Sequence, residues 1–412
     1  MLFNEVRARK ILRDNGVDAV IATSKENVAY VTGHDNPTHL LMKNALICAI
    51  YSPESTPVAS AIIPTLEVET YLHDRSWIDD IYLVGLFSRS QKHGQPMDEI
   101  GQAGVRMMEK AHSFPTSLEA LRHAIESRGL QKARIALDES GLSVHDWTAI
   151  KDLFPEAEIV PGNVLLWTIR MIKTPEEIAR LRKSSQIAER AIAASLAELH
   201  PGMTEQALCA AYNSHVARMG ALPSFAMFGA GTATAQPHLT SSGRGIEKGD
   251  LIRWDVGCTY GMYHSDTARA VVFGEPQAHQ TRVWNLLAEG VEAAIALMKP
   301  GASPADLHRA AIGPLAGSGL DTFQRFHCGH GIGISIYDPP IITDADSSKS
   351  VFRVPVAEGG LEPGMVLNLE VGYYQQGYQG FLCEDTLVVT ENGCERLTVA
   401  SKSLALDDYL AG

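Results

Sequence analysis

The feature that most constrains this chain is a segment of twelve residues that occurs twice in its second half. Ile246–Gly257 reads IEKGDLIRWDVG and Leu361–Gly372 reads LEPGMVLNLEVG, so the copies stand 361 − 246 = 115 residues apart. A shorter segment also occurs twice, as PGMT at 201–204 and as PGAS at 300–303, and each copy follows a helix-like stretch. Self-similarity of this kind predicts two related α+β halves packed about a pseudo-twofold axis.

The first part of the chain has a different pattern, in which amphipathic helical segments alternate with short apolar runs typical of strands. The helical segments are Phe3–Asn15, Met97–Glu109 and Ser117–Ser127; the strand-like runs are Asp18–Ser24, Ala45–Tyr51, Pro57–Ile63 and Arg134–Leu137. Such alternation predicts an α/β fold. Pro161 and Gly162 then break the chain, and Thr174-Pro175-Glu176-Glu177 has the form of a capping box that opens a long helix. We therefore predict an α/β domain over residues 1–164 and an α+β domain over residues 165–412.

Both copies of the repeat place a carboxylate at the end of an apolar run, Asp255 in the first and Glu370 in the second. A buried carboxylate is costly unless it is paired or bound to a metal. A tight hairpin centred between Tyr260 and Gly261 would place Asp266 directly opposite Asp255.

The second copy predicts a similar pair, because a hairpin centred on Gly377 would place Glu384 opposite Glu370. Four carboxylates that meet at one point repel one another, so the pattern predicts bound cations. The candidate nitrogen ligand is His330, in the glycine-rich segment HCGHGIG, and such a donor set suits Mn, Fe, Co or Zn. An ordinary surface hairpin is the alternative for each carboxylate taken alone.

Composition excludes several other classes of protein. The chain has 412 residues and a net charge of 35 − 48 = −13, which argues against nucleic acid or an anionic membrane as the main partner. Its six cysteines form no CxxC pair, and we expect a reducing, cytoplasmic location. The sequence shows neither a signal-peptide pattern nor a run of apolar residues long enough to span a bilayer.

These motifs resemble those of the pita-bread metallopeptidases, which include methionine aminopeptidase, aminopeptidase P and prolidase, while creatinase shares the fold without metal. The matching segments are WDVG…HSDTAR, CGHGIG, LEPGMVLNLEVG and EDTLVVTENG. The preceding α/β domain is similar to the creatinase-type N-terminal domain of aminopeptidase P, prolidase and creatinase. Residue by residue, the family's five metal ligands fall on Asp255, Asp266, His330, Glu370 and Glu384.

The resemblance implies a homodimer that holds two divalent ions, with manganese expected and cobalt, zinc or iron as alternatives. Asp255 and Glu384 would bridge the ions, and a hydroxide between them would cleave an amide bond of a short peptide, as in Xaa-Pro aminopeptidases and dipeptidases. Glu370 would also carry the proton. His238, in Gln-Pro-His, falls where the family keeps a substrate-side histidine, although a surface loop histidine is the alternative.

Two positions depart from that pattern. Tyr337 stands seven residues after His330, where the peptidases usually have histidine, and could donate a hydrogen bond or simply pack. Leu382 stands where proline-specific enzymes often have arginine. Both changes keep open a hydrolase or lyase acting on a C–N bond of a small non-peptide molecule, and a non-catalytic binding protein is a further alternative. His264, His327 and Phe225 are candidates for the pocket wall.

Overall fold

A computed structural model of the chain describes residues 1–42, 44–320, 324–345 and 354–411. The chain divides into two compact units, Met1–Arg170 and Met171–Gly412. The domain boundary expected after residue 164 falls inside the last helix of the first unit, Asn163–Arg170. Over the described ranges, no helix has both the length and the apolar character needed to cross a membrane.

The first unit is an α/β domain, as the alternating pattern predicts. Its helices are α1 (Glu5–Asp14), α2 (Lys25–Thr32), α3 (Pro37–Leu41), α4 (Val68–Asp74), α5 (Glu99–Lys110), α6 (Ser117–Glu126), α7 (Val144–Leu153) and α8 (Asn163–Arg170). Its strands are β1 (Ala19–Ala22), β2 (Cys48–Tyr51), β3 (Ala59–Pro64), β4 (Ile81–Val84), β5 (His112–Phe114), β6 (Arg134–Leu137) and β7 (Glu158–Pro161). In the described residues these strands form one sheet in the order β5-β4-β3-β2-β1-β6-β7. Only β2 runs antiparallel to its neighbours there, which makes the sheet mixed.

The second unit is an α+β domain built on two antiparallel sheets. Its helices are α9 (Pro175–Ala197), α10 (Glu205–Arg218), α11 (Ala278–Leu297), α12 (Pro304–Ile312) and α13 (Leu406–Ala411). Its strands are β8 (Leu222–Ala230), β9 (Leu251–Tyr260), β10 (Tyr263–His264), β11 (Thr267–Val272), β12 (Gly329–Gly331), β13 (Asp338–Ile341), β14 (Val366–Tyr374), β15 (Gly380–Val389) and β16 (Cys394–Arg396). Strands β8, β10 and β11 pair with β9, and the other sheet runs β13-β12-β14-β15-β16.

Helix α9 opens the second unit with the predicted capping box. The Thr174 side chain accepts a hydrogen bond from the Glu177 amide, and the Glu177 carboxylate accepts one from the Thr174 amide at 2.7 Å. Pro175 occupies the first turn, where its missing N–H costs nothing. The reciprocal caps fix where this long helix begins.

The repeat in the sequence becomes a repeat in the structure. Strands β9 and β14 begin at Leu251 and Val366, again 366 − 251 = 115 residues apart. Helices α10 and α12 are each capped by the hydroxyl of the shorter repeated segment, Thr204 in one and Ser303 in the other. Each half has its own buried apolar cluster. One lies between α9, α10 and β9, and the other lies between α11, α12 and β14. The prediction of two related α+β halves is confirmed.

Candidate metal centre

The hairpin β14–β15 brings two of the expected ligands face to face. Glu370 on β14 pairs directly with Glu384 on β15. The turn is centred on Gly377, whose φ of 75° favours glycine. Both carboxylates are buried, with 8% and 2% of their surface exposed. The predicted cross-strand pair is therefore confirmed in the second half of the repeat.

The corresponding prediction for the first hairpin is wrong, because the turn lies one residue further along the chain and the pairing shifts by two residues. Tyr260 pairs with Tyr263 across a two-residue turn, Gly261-Met262, whose φ angles are 54° and 75°. Positive φ at both turn residues is typical of the tight hairpin turns that match strand twist. Asp255 consequently pairs with Ala268.

Asp266 nevertheless stays close to Asp255, because diagonal neighbours share one face of the sheet. After burial, the charge of Asp255 is the largest cause that raises the pKa of Asp266, as expected for neighbouring carboxyl groups. Gly257 makes this approach possible, since a Cβ there would lie 2.2 Å from the main-chain oxygen of Ser265.

Strand β12 presents His330 between two glycines that permit close backbone contact. A Cβ on Gly329 would lie 2.1 Å from the Asn368 oxygen, and one on Gly331 would lie 2.2 Å from the Pro339 oxygen. The His330 ring is 1% exposed, and its Nδ1 lies 2.9 Å from the Gly331 oxygen. Because a carbonyl only accepts, Nδ1 carries the proton and Nε2 keeps its lone pair. Burial lowers the pKa of His330, which favours this neutral form.

Three of the expected ligands converge on one point. One ligand atom each of Asp266, His330 and Glu384 lies within 4.8 Å of the others. Oδ1 of Asp266 and Oε2 of Glu384 are buried without a hydrogen-bond partner, and His330 Nε2 lies 3.6 Å from Asp266 Oδ2. Unpaired lone pairs that face one another in a buried space are what a cation would satisfy, so the residues fit a divalent metal ion.

The electrostatics of the five residues agree with that fit. Burial, followed by the charges of the neighbouring carboxylates, raises the pKa of Asp266 and of Glu384 well above their ordinary values. Burial and Glu370 raise the pKa of Asp255 to about 6. Burial would raise the pKa of Glu370 too, but Arg325 and two histidines outweigh it and lower that pKa. The cluster thus stores repulsion that divalent cations would relieve.

Two polar residues that the sequence analysis missed support the centre from equivalent places in the repeat. Arg253 and Asn368 each stand two residues before the repeat's carboxylate, and 253 + 115 = 368. Asn368 donates to Glu384 Oε1 at 3.1 Å and accepts from the Thr386 hydroxyl at 2.7 Å. A polar residue inside each apolar run was the signal that would have identified both.

Arg253 acts on the other side of the centre. Its guanidinium donates to the main-chain oxygens of Thr234, Gln236 and Pro237, just before His238. The His238 side chain itself is exposed and makes no hydrogen bond with any residue in the described ranges. Arg253 therefore anchors the loop that carries His238 to the strand that carries Asp255.

Tyr337 and His327 lie against the ligand residues. The Tyr337 ring stacks on the His330 ring at 3.7 Å, with an interplanar angle of 18°. Burial, followed by nearby carboxylates, raises the pKa of Tyr337, so its hydroxyl keeps its proton. His327 Nδ1 lies 3.4 Å from Glu370 Oε1, and burial lowers the pKa of His327 to about 4.

His264 and Phe225 occupy the first hairpin and its neighbouring strand. His264 Nδ1 lies 3.2 Å from the Thr259 hydroxyl, and its amide donates to the Gly333 oxygen, which links the hairpin to the His330 segment. Phe225 is half-buried and covers Gly257.

The chain is similar to known proteins in sequence and in fold. The chain resembles a Xaa-Pro dipeptidase of Pyrococcus furiosus, with 32% identity over 238 residues, 57% of this chain and 65% of that relative's length. The prolidase structure from Pyrococcus horikoshii covers 97% of this chain and 99% of its own, with TM-score 0.75 and 24% identity. An X-Pro aminopeptidase structure from Thermotoga maritima covers 98% and 99%, with TM-score 0.73 and 22% identity. At these identities the structures show a shared fold, which is the predicted two-domain pita-bread architecture.

The family patterns cover both units. Residues 6–172 match the creatinase/prolidase N-terminal domain. Residues 179–391, which hold all five expected ligands, match metallopeptidase family M24. The chain belongs to metallopeptidase family M24.

Proposed function

We propose that this chain is a metal-dependent peptidase that hydrolyses the amide bond of Xaa-Pro dipeptides. The observation that carries the proposal is the convergence of Asp266, His330 and Glu384, with buried carboxylate oxygens that have no hydrogen-bond partner. Asp255 and Glu370 flank this group on the same two hairpins. The similarity to a Xaa-Pro dipeptidase over 65% of that relative's length supports the choice of substrate.

The centre is proposed to hold two divalent ions, manganese first, through Asp255, Asp266, His330, Glu370 and Glu384. When bound, the ions would polarise the scissile carbonyl and make water nucleophilic at neutral pH. Carboxylates with a single imidazole suit manganese, and cobalt, zinc and iron accept the same set.

The chain's own residues would position the substrate and move the proton. Glu370, kept ionised chiefly by Arg325, takes the proton of the attacking water and returns it to the leaving nitrogen. The protonated Tyr337 hydroxyl donates to the developing oxyanion, and the exposed His238 donates to the substrate from the loop that Arg253 anchors. His264, His327 and Phe225 form the wall around them.

A homodimer in a reducing cytoplasm completes the proposal. All six cysteines are free thiols, which supports a reducing compartment. The domain limits 1–164 and 165–412 stay part of the proposal.

The test is amino-acid release from Xaa-Pro dipeptides and Xaa-Pro-Yaa tripeptides by the manganese-loaded protein. We expect release from dipeptides that stops with chelator and is absent in Glu370→Gln, while the exposed control Glu391→Gln keeps wild-type activity. Tight metal binding without release from any peptide would refute the peptidase and favour a non-peptide C–N substrate. Absence of metal binding would favour the non-catalytic binding protein.

A further inference from the structure

Arg325 lies just before β12 and was not among the residues expected at the site. Its Nε donates to the His327 oxygen at 2.9 Å, and its Nη2 donates to Glu370 Oε2. The Arg325 side chain is 15% exposed. A guanidinium held by two hydrogen bonds is a fixed positive charge, with one of its edges on Glu370.

The guanidinium occupies the neighbourhood of Leu382. Leu382 on β15 pairs with Gly372 on β14. A Cβ built on Gly372 would lie 2.8 Å from Leu382 Cδ1, 2.8 Å from the Tyr374 hydroxyl and 3.1 Å from Arg325 Nη1. These three side chains therefore surround a single backbone position, two residues after Glu370.

This crowding makes positions 325 and 382 alternatives for one positive charge. An arginine at 382 would bring a second guanidinium against the first in a space from which water is largely excluded, and like charges there repel strongly. A buried leucine, which is 2% exposed, packs there without that cost. Leucine at 382 is therefore compatible with the guanidinium of Arg325 beside it.

We propose that Arg325, from the segment before β12, supplies the positive charge that fixes the Glu370 carboxylate, and that it is the positioning residue for Glu370. The inference rests on the proposed function, in which Glu370 is both ligand and proton carrier. Arg325 fixes one oxygen of that carboxylate, and its bond to the His327 oxygen ties Glu370 to the strand of His330. Outer partners that orient a ligand in this way typically account for about 10–100-fold in metal affinity or activity.

The experiment moves the positive charge from position 325 to position 382. Arg325→Met should lower kcat about 10–100-fold and weaken Mn²⁺ binding, measured by chelator competition, by a similar factor, with KM changed by less than about threefold. The double variant Arg325→Met/Leu382→Arg should recover at least about tenfold of both losses. Arg309→Met removes an arginine paired with Asp306 on the surface and should change neither quantity.

Either of two results would overturn the proposal. One is an Arg325→Met variant with kcat and Mn²⁺ affinity within about twofold of wild type. The other is a double variant no better than Arg325→Met, which would show that the link to the His327 oxygen matters and the charge does not. If Arg325→Met does not fold by circular dichroism, Arg325→Gln, which keeps a donor without the charge, takes its place in the same comparison.

The outcome stays separate from that of the proposed function. Chelator competition needs no substrate, so a wild-type protein that binds Mn²⁺ but cleaves no peptide would refute the peptidase and leave the Arg325 inference to be judged on metal affinity. If the wild type cleaves Xaa-Pro dipeptides and Arg325→Met is unaffected, the peptidase is supported and the Arg325 inference is refuted.

Discussion

The repulsion among the buried carboxylates predicts that Glu384→Gln is more stable than wild type without metal and less stable than wild type with metal. In wild type, Glu384 and Asp266 present ligand oxygens within 4.8 Å of each other. At an effective dielectric constant of about 20, two full charges at that distance repel by about 3 kcal/mol. In Glu384→Gln the amide would keep its oxygen on the Asn368 donor and turn its NH₂ toward Asp266, which replaces repulsion by a hydrogen bond.

The metal-free variant should therefore be more stable than metal-free wild type, by about 1–3 kcal/mol at pH 8. Burial raises the pKa of Glu384 and of Asp266, so the folded wild type binds protons that the unfolded chain releases. Wild-type stability consequently falls as pH rises above about 4, and the advantage of the variant shrinks toward zero near that pH.

Manganese should reverse the order. A ligand at one hundred times its Kd adds about 2.7 kcal/mol to the wild type, while the variant, with a ligand removed, should gain little. The assay is urea unfolding at pH 5 and pH 8, once with chelator and once with Mn²⁺. The free energy of unfolding is taken from the transition whose midpoint Mn²⁺ shifts. Glu391→Gln, an exposed glutamate in the β15–β16 turn, is the matched control and should follow wild type in both conditions.

Metal-free Glu384→Gln no more stable than wild type at pH 8 would refute the stored repulsion. A variant that gains as much stability from Mn²⁺ as wild type would refute Glu384 as a ligand. The two failures are independent, because the first is read in chelator and the second in metal.

Three further predictions use other parts of the structure. Arg269→Met breaks the buried pair with Asp385 (2.5 Å) and should lower the free energy of unfolding by about 3–5 kcal/mol. The double variant Arg269→Met/Asp385→Leu should lose less, and the surface control Arg182→Met should lose under about 1 kcal/mol. Equal losses for the single and the double variant would contradict this prediction. Burial raises the pKa of Glu177 to about 7, so the free energy of unfolding should fall progressively from about pH 4.5 to pH 7 as this carboxylate becomes charged. Glu177→Gln should remove up to about 3 kcal/mol of this pH-dependent loss, measured by urea unfolding over a pH series. Tyr337→Phe keeps the stack on His330 and should lower kcat about 10²–10³-fold without changing Mn²⁺ affinity, and an unchanged kcat would assign the ring to packing alone.

Local pattern was enough to predict the strands and the five candidate ligands, because alternation, glycine context and an internal repeat are readable one segment at a time. The register of the first hairpin was not readable in this way. Its turn requires positive φ at Met262, a residue type that does not favour that conformation, so centring the turn one residue earlier looked equally good. Glycine at 377 has no such ambiguity, and the second hairpin was predicted correctly.

Contacts between distant segments were beyond the sequence altogether. Arg325 reaches Glu370 across 45 positions, and Arg269 donates to the Glu384 oxygen across 115. Nothing in the spacing of either arginine distinguishes it from a surface residue, since both contacts depend on how β12 and β11 lie against the β14–β15 hairpin. The candidate ligands were therefore accessible to sequence reasoning, whereas the residues that orient them were not.

The two copies of the repeat differ at one position, 253 in the first and 368 in the second, and the two residues there have different roles. Arginine at 253 carries only donors, which suits a loop that offers three main-chain oxygens beside His238. Asparagine at 368 has both a donor and an acceptor, which lets it join Glu384 to the Thr386 hydroxyl. Exchanging them would leave three carbonyls short of donors in one half and a buried positive charge among the ligands in the other. The same place in the repeat thus anchors the loop that carries His238 in one half and orients Glu384, an expected metal ligand, in the other.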